Sequence, residues 1–142
     1  MWMRDKIAYA KYKEAGQYML QKRFDEALII YREVVKVEPD FFEAYSNIGV
    51  CCKNLNMLKE AREAFEFALK LKPNSAIANN NLGNVYTVME RFDLAIKHYE
   101  IAIKLRPRYI DAMKNLGSVL FFTGKTEQAI NLHLKIEKLY KK

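Results

Sequence analysis

The sequence predicts an all-α fold, a solenoid of four stacked helix–turn–helix repeats with about eight helices, and three observations at one spacing support it. Prolines recur every 34 residues, at Pro39, Pro73 and Pro107. Small residues keep the same interval, at Gly49, Gly83, Gly117, Ala27, Ala61, Ala95 and Ala129. Because proline, glycine and alanine have different structural roles, their shared period indicates one structural unit copied four times.

Aligning the prolines divides the chain into repeats 8–41, 42–75, 76–109 and 110–142, which follow a short lead, 1–7, and form a single domain. In the second repeat the first helix is predicted over about 42–55, because apolar residues follow the spacing of a buried helical row. These residues are Phe42, Tyr45, Ile48, Gly49 and Cys52. The second helix is predicted over about 58–71, and Pro73 ends it.

The later repeats show the same pattern of inward-facing residues. The third has Leu82, Gly83, Tyr86, Ala95, Tyr99 and Ala102, and the fourth has Leu116, Gly117, Leu120, Ala129, Ile130 and Ile136. A glycine inside a helix costs about 1 kcal/mol relative to alanine. Its recurrence at one place therefore predicts that two helix backbones approach closely there. Large residues at Tyr31, Phe65 and Tyr99 are expected to fill the space between stacked units, and His133 occupies that place in the fourth.

These residues carry a resemblance to a known family. The pattern Tyr45-x2-Ile48-Gly49-x2-Cys52, followed by Ala61, Phe65, Ala68 and Pro73, resembles the tetratricopeptide repeat. The resemblance extends from about residue 8 to the end, with departures at Glu14, Ala15, His133 and Lys141. It implies a right-handed superhelix in which the first helix of each repeat lines a concave groove. It also implies that the last helix keeps an uncovered face at Ile130, His133 and Leu134, unless another chain docks there or further repeats follow.

Composition and cysteine content exclude several other classes of protein. The chain has 51% hydrophobic and 29% charged residues, which is the balance of an ordered, soluble protein. It contains no apolar run near the ~20 residues that span a bilayer, and its first residues lack a secretory signal. The adjacent cysteines, Cys51 and Cys52, form no metal motif and indicate a reducing compartment, so we expect a cytoplasmic protein.

No residues have the spacing of a catalytic or cofactor site, so we expect neither an enzyme nor a small-molecule substrate, cofactor or metal. His98 is expected at the surface and His133 in the packing of the last repeat. The net charge is +7, and the positive charge per repeat increases toward the C-terminus. Basic residues crowd one turn, at Lys104, Arg106 and Arg108, but no nucleic-acid motif accompanies them. The sequence therefore favours neither nucleic acid nor membrane as a partner.

The candidate binding residues lie on the first helices. Asn47, Asn81 and Asn115 recur two residues before each glycine, and Lys13 holds this place in the first repeat. A carboxamide offers one acceptor and two donors, which matches a peptide unit of an extended chain. The family resemblance places this position in the groove, although asparagine is common there even where no ligand uses it. Further groove candidates are Tyr12, Asn80, Asn84 and Phe122.

Three functions are compatible with this pattern. The first is an adaptor that binds an extended segment of a protein partner. The second is a scaffold that self-associates through the C-terminal helix face or Trp2, and the third is a segment of a larger multidomain protein. Family members that dock chaperone tails hold a C-terminal carboxylate with basic and amide residues. The corresponding positions here are Tyr12, Gly16, Asn47, Ile77 and Asn81, of which only Asn47 agrees, so that specialised role is disfavoured.

Overall fold

The computed structural model describes residues 5–141, and every regular element in that range is an α-helix. The eight helices are α1 (Lys6–Leu20), α2 (Phe24–Val37), α3 (Phe42–Asn54), α4 (Leu58–Leu71), α5 (Ala76–Val88), α6 (Phe92–Leu105), α7 (Ile110–Phe122) and α8 (Thr126–Tyr140). Consecutive helices pack as the hairpins α1–α2, α3–α4, α5–α6 and α7–α8. The predicted all-α class and the four helix–turn–helix repeats are confirmed. Trp2 lies outside the described residues.

The hairpins group into two compact units, one up to Pro73 and one from Asn74. In the first unit, α2 packs on α3 and so joins two hairpins. In the second unit, α6 packs on α7 in the same way. Each unit therefore consists of two hairpins stacked through the second helix of one and the first helix of the next.

The core of each unit consists of the small and aromatic residues that the period singles out. Ala27, Ala61 and Ala95 have no measurable exposure, and the rings of Tyr31, Phe65 and Tyr99 are almost completely buried. Burial of one such ring contributes about 1.5–3 kcal/mol. The fourth repeat differs, because Ile130 is 50% exposed. The expectation that Ile130 faces inward is therefore wrong.

The mid-helix glycines have two different environments. A Cβ at Gly49 would lie 2.6 Å from Phe65, and one at Gly83 would lie 2.6 Å from Tyr99. The contact at these two glycines is tight as predicted, but it is made by an aromatic side chain of the facing helix and not by that helix's backbone. At Gly117 the nearest atom is 3.9 Å away, so that prediction is wrong for the fourth repeat.

His133 explains the open space at Gly117. Its side chain is 70% exposed, and its Nε2 lies 3.0 Å from a carboxylate oxygen of Glu137. The imidazole therefore lies outside the position that Phe65 and Tyr99 occupy in their hairpins. The expected role of His133 in packing is wrong for this reason.

The turn inside each hairpin contains one residue with a left-handed backbone. These residues are Lys22, Asn56, Glu90 and Gly124, with φ of 59°, 62°, 59° and 83°, and they share the 34-residue period. In each turn the next residue donates its backbone N–H to a carbonyl five positions earlier, at 2.7–2.9 Å. This bond is typical of a Schellman motif, which satisfies carbonyls at a helix end. The period of these turn residues was not used in the sequence prediction, because only one of them is glycine.

Candidate functional site

In the first unit, the structure brings two of the three candidate residues together around one tyrosine. Asn47 of α3 donates from Nδ2 to the Oη of Tyr31 at 3.1 Å. The ring of Tyr12, on α1, lies 5.8 Å from the same Tyr31 ring. The third candidate, Lys13, is exposed, and its ammonium lies 5.5 Å from the Tyr9 ring centroid. The first unit thus presents a carboxamide, a phenol ring and a cation on its first helices.

Tyr12 belongs to an aromatic cluster. Its ring lies 4.6 Å from Phe41 and 6.1 Å from Tyr9, which is 48% exposed. Burial raises the pKa of Tyr31 far above the ordinary range, and the nearby Tyr12 adds to this effect. The Tyr31 hydroxyl therefore stays protonated and orients Asn47 without adding a charge. The cluster offers an apolar surface beside a fixed carboxamide.

In the second unit, three candidate asparagines take part in hydrogen bonds within the protein. Asn115 of α7 donates from Nδ2 to the Oδ1 of Asn80 at 3.1 Å. Asn80 is itself buried on α5. The Oδ1 of Asn84 accepts from the Tyr99 hydroxyl at 2.7 Å, and that hydroxyl lies 3.0 Å from Thr87 Oγ1. These bonds hold the amides of the three asparagines in defined orientations.

The last two candidates of the second unit are less constrained. Asn81 is half-buried, and its carboxamide makes no hydrogen bond within residues 5–141. Phe122 is 73% exposed at the end of α7, and its ring lies 5.1 Å from Phe92. Phe122 follows Asn115 by seven residues, so both lie on one face of α7. Asn81 therefore has a free donor and acceptor, and Phe122 has a free ring face.

Sequence reasoning missed a buried polar pair in the second unit. Asn79, which is 3% exposed, donates from Nδ2 to the backbone oxygen of Ser75 and accepts at Oδ1 from His98 Nδ1, both at 3.0 Å. His98 also stacks on Tyr86 with 5.6 Å between ring centroids. Burial lowers the pKa of His98, and the nearby Lys97 lowers it further. The expectation that His98 is a surface residue is therefore wrong. In the sequence, Asn79 was the residue that could have indicated a buried hydrogen-bond partner for His98.

The described residues contain little that suits catalysis. Within residues 5–141, no three His, Cys, Asp or Glu side chains are placed to hold a metal ion. None of the helices in that range is both long and apolar enough to cross a lipid bilayer. Both cysteines are free and buried, and burial raises the pKa of Cys51 to about 12. Since the thiolate is the reactive form, Cys51 has the properties of a core residue.

Comparison with known families identifies the repeat. A family model described as tetratricopeptide repeat matches residues 74–142, and a second model with the same description matches residues 42–75. Together these two matches include every residue from 42 to the C-terminus. No sequence among curated proteins matches the chain.

Several solved structures are similar to this one. MamA (41-end) from Desulfovibrio magneticus RS-1 aligns with a TM-score of 0.89 and 21% identity, covering 94% of this chain and 76% of that one. Another MamA crystal structure has a TM-score of 0.89 and 26% identity, covering 95% and 81%. The first tetratricopeptide domain of Spaghetti (RPAP3), bound to the HSP90 peptide SRMEEVD, has a TM-score of 0.78 and 20% identity, covering 84% and 95%.

Proposed function

This chain belongs to the tetratricopeptide repeat family, whose members are protein-interaction scaffolds, and we propose that it is an adaptor without enzymatic activity. In this proposal it holds an extended segment of a partner protein along the first helices of its repeats. Asn47, Asn81 and Asn115 bind the backbone of the segment. Tyr12 and Phe122 contact its side chains, and Lys13 contributes a positive charge.

The observation that carries the proposal is the fixed orientation of two carboxamides. Asn47 donates to Tyr31 and Asn115 donates to Asn80, each from Nδ2 at 3.1 Å. In both residues Oδ1 and the second N–H of Nδ2 are left for a ligand. Since a bound peptide unit offers one N–H and one C=O, each asparagine matches it with no further ordering.

The magnitude of this interaction sets the expected affinity. Each hydrogen bond adds a net ~0.5–1.5 kcal/mol, so three asparagines alone do not offset the entropy lost on ordering a peptide. The aromatic surface of Tyr9 and Tyr12 must therefore contribute. We expect dissociation constants in the micromolar range and dependence on at least one large apolar side chain of the partner.

The proposed partner differs from the peptide held by the Spaghetti domain, which is an HSP90 peptide. Family members that hold a chaperone tail use basic and amide residues at five positions, and only Asn47 agrees here. Tyr12 and Ile77 stand at two of the others. We therefore propose recognition of an internal extended segment, which needs no terminal carboxylate. The free, buried cysteines suit the cytoplasm as the compartment.

The residues of α1 favour peptide binding over self-association by head-to-tail stacking. In α3, Ile48 and Cys51 are buried, and α3 packs on α2. The corresponding positions of α1 are Glu14 and Gln17, which are exposed. Placing α1 of one copy on α8 of another would bury these polar groups, which costs several kcal/mol for any group that finds no hydrogen-bond partner.

The experiment starts from a peptide selected on the wild-type chain from a displayed peptide library. Its dissociation constant is measured by calorimetry with the wild type, with Asn81→Ala, and with Asn47, Asn81 and Asn115 all changed to alanine. We expect at least tenfold weaker binding by the triple variant. Asn81→Ala alone should weaken binding about two- to tenfold.

Asn81→Ala is the cleanest variant, because its carboxamide makes no hydrogen bond within residues 5–141 and its loss does not weaken the fold. Asn131→Ala, at an exposed position of α8, is the matched control and should bind like the wild type. Circular dichroism checks that each variant is folded at the assay temperature. If the triple variant binds the peptide with unchanged affinity, the proposed role of the asparagines is wrong.

A further inference from the structure

The last hairpin contains an open crevice between α7 and α8 that lies outside the proposed peptide-binding residues. Its volume is about 590 Å³. The residues that matter for its chemistry are Met113, Lys114, Gly117 and Phe121 from α7 and Ile130 and His133 from α8. A volume of this size is in the range of ligand pockets, about 300–1,000 Å³.

The other hairpins show what this crevice is shaped to accept. In the second and third repeats the equivalent space above the glycine is filled by an aromatic ring of the same hairpin. Phe65 lies against Gly49, and Tyr99 lies against Gly83. In the fourth repeat Gly117 remains, but His133 points outward and leaves its side chain 70% exposed. The crevice therefore has the shape of an aromatic site without its aromatic side chain.

At and beside the crevice, α7 and α8 expose large apolar side chains. Phe121 is 63% exposed, and Ile130 and Leu134 are each 50% exposed. At the position of Leu134 the other second helices carry charged, exposed residues, namely Arg32, Glu66 and Glu100. Large apolar side chains exposed at one crevice indicate a surface that another molecule covers.

The charge of the crevice selects the occupant. Lys114 lines it, and within residues 5–141 the Lys114 ammonium has no carboxylate partner; it lies 5.7 Å from the Tyr140 ring. No acidic residue of the described chain lines the crevice. Glu137, one turn from His133 on α8, is paired with His133. An unpaired lysine beside an apolar cavity is complementary to a carboxylate next to an apolar group.

We propose that the α7–α8 crevice is a second binding site, which accepts an aromatic side chain from an acidic segment of a partner protein. The ring lies over Gly117 in the place that Phe65 and Tyr99 fill in their own hairpins. A carboxylate of the same segment pairs with Lys114. A second copy docking through α1 would bring Glu14 and Gln17 to this face, and neither supplies the aromatic ring; that copy is the alternative that the oligomeric state tests.

The test uses a defined probe, acetyl-Glu-Glu-Trp-Glu-Glu-Leu-amide, titrated into the isotopically labelled full chain and followed by NMR. We expect chemical-shift changes at the amides of Gly117, Ala129 and Ile130. The same peptide with alanine in place of tryptophan should bind at least tenfold more weakly. Lys114→Gln should weaken the tryptophan probe about two- to fivefold, the range for an exposed ion pair.

The decisive variant is His133→Tyr, which supplies the missing ring from within the chain. It should raise the melting temperature and weaken probe binding at least tenfold, so that lost binding cannot be ascribed to unfolding. Asn131→Tyr, which places the same ring at an exposed position of α8 outside the crevice, is the matched control and should bind the probe like the wild type.

Three results would overturn the proposal. One is shift changes centred elsewhere in the chain, and another is unchanged probe affinity in His133→Tyr. The third is self-association of the wild type, seen by light scattering and abolished by His133→Tyr, which would assign the crevice to a second copy instead.

Discussion

The close approach between α5 and α6 at Gly83 predicts a strong effect of a single methyl group. In Gly83→Ala the new Cβ would lie 2.6 Å from two carbon atoms of the Tyr99 ring. Ordinary contacts begin near 3.4 Å, so the ring or the helix must move by almost 1 Å. The Tyr99 ring is 2% exposed and its hydroxyl is bonded to Asn84, so it has little room to move.

The magnitude follows from two opposing effects. Overpacking of this kind costs up to about 3 kcal/mol, whereas alanine in a helix interior is favoured over glycine by about 1 kcal/mol. We therefore expect Gly83→Ala to lower the free energy of unfolding by about 2 kcal/mol. In Gly117→Ala the new Cβ would lie no closer than 3.9 Å to the atoms of α8, so this variant should raise the free energy of unfolding by up to about 1 kcal/mol.

Urea denaturation followed by circular dichroism measures both variants, and both glycines lie in the second unit, so they report on the same structure. The double variant Gly83→Ala/Tyr99→Leu is the control, because removing the ring removes the clash. Its loss should be at least 1 kcal/mol smaller than the sum of the two single losses. Equal stability of Gly83→Ala and Gly117→Ala would refute this account of the glycine positions.

Three further predictions concern turns, protonation and thiols. Because Glu90 has a left-handed backbone, Glu90→Gly should raise the free energy of unfolding by about 0.5–1 kcal/mol, and Gly124→Ala should lower it by a similar amount. Urea denaturation measures both changes. If both variants shift the free energy of unfolding in the same direction, this account of the turns is wrong. Burial lowers the pKa of His98, so the unfolded chain binds a proton more readily than the folded chain once the pH falls below the ordinary value of about 6.5. Stability should thus be full above that pH and decline below it, and His98→Gln should reduce the decline between pH 7.5 and 5.5. Burial raises the pKa of Cys51 and Cys52, so a thiol-specific disulfide reagent should label the folded chain far more slowly than the unfolded chain, and rapid labelling of the folded chain would contradict their burial.

The helices could be predicted from the sequence almost to the residue, for a physical reason. The second helix of the second repeat was predicted over about 58–71, and α4 is Leu58–Leu71. Proline removes a backbone donor and restricts the residue before it, so Pro73 marks a helix end whatever the tertiary contacts are. The first helix ends at Asn54 because Asn56 adopts the left-handed conformation of a helix-ending turn.

Side-chain environments were less predictable, because they depend on residues far away in the sequence. Gly83 and Gly117 occupy the same place in their repeats, yet only Gly83 has a ring against it. The difference lies in the residue sixteen positions later, which is Tyr99 in one repeat and His133 in the other. His98 was expected at the surface. It is half-buried, stacks on Tyr86 and donates a hydrogen bond to Asn79 on another helix.

The candidate binding residues show the same division. The period of Asn47, Asn81 and Asn115 could be read from the sequence, and it identifies a shared position on the first helices. Asn47 and Asn115 each donate one N–H to a neighbour in the preceding repeat, Tyr31 and Asn80, whereas the Asn81 carboxamide makes no hydrogen bond within residues 5–141. The asparagines are thus equivalent in sequence and different in chemistry.

The fourth hairpin shows how one position can decide between stability and binding. A buried Phe or Tyr over Gly117 would contribute about 1.5–3 kcal/mol, whereas the exposed pair of His133 and Glu137 contributes at most about 1 kcal/mol. In a repeat protein each unit is stabilised mainly by its neighbours, so this loss stays local to α7 and α8. The carboxamides of Asn47 and Asn115 keep their orientation, since neither of their hydrogen bonds involves α8. Occupancy of the crevice should therefore stabilise the last hairpin while leaving the binding residues of the first unit unchanged.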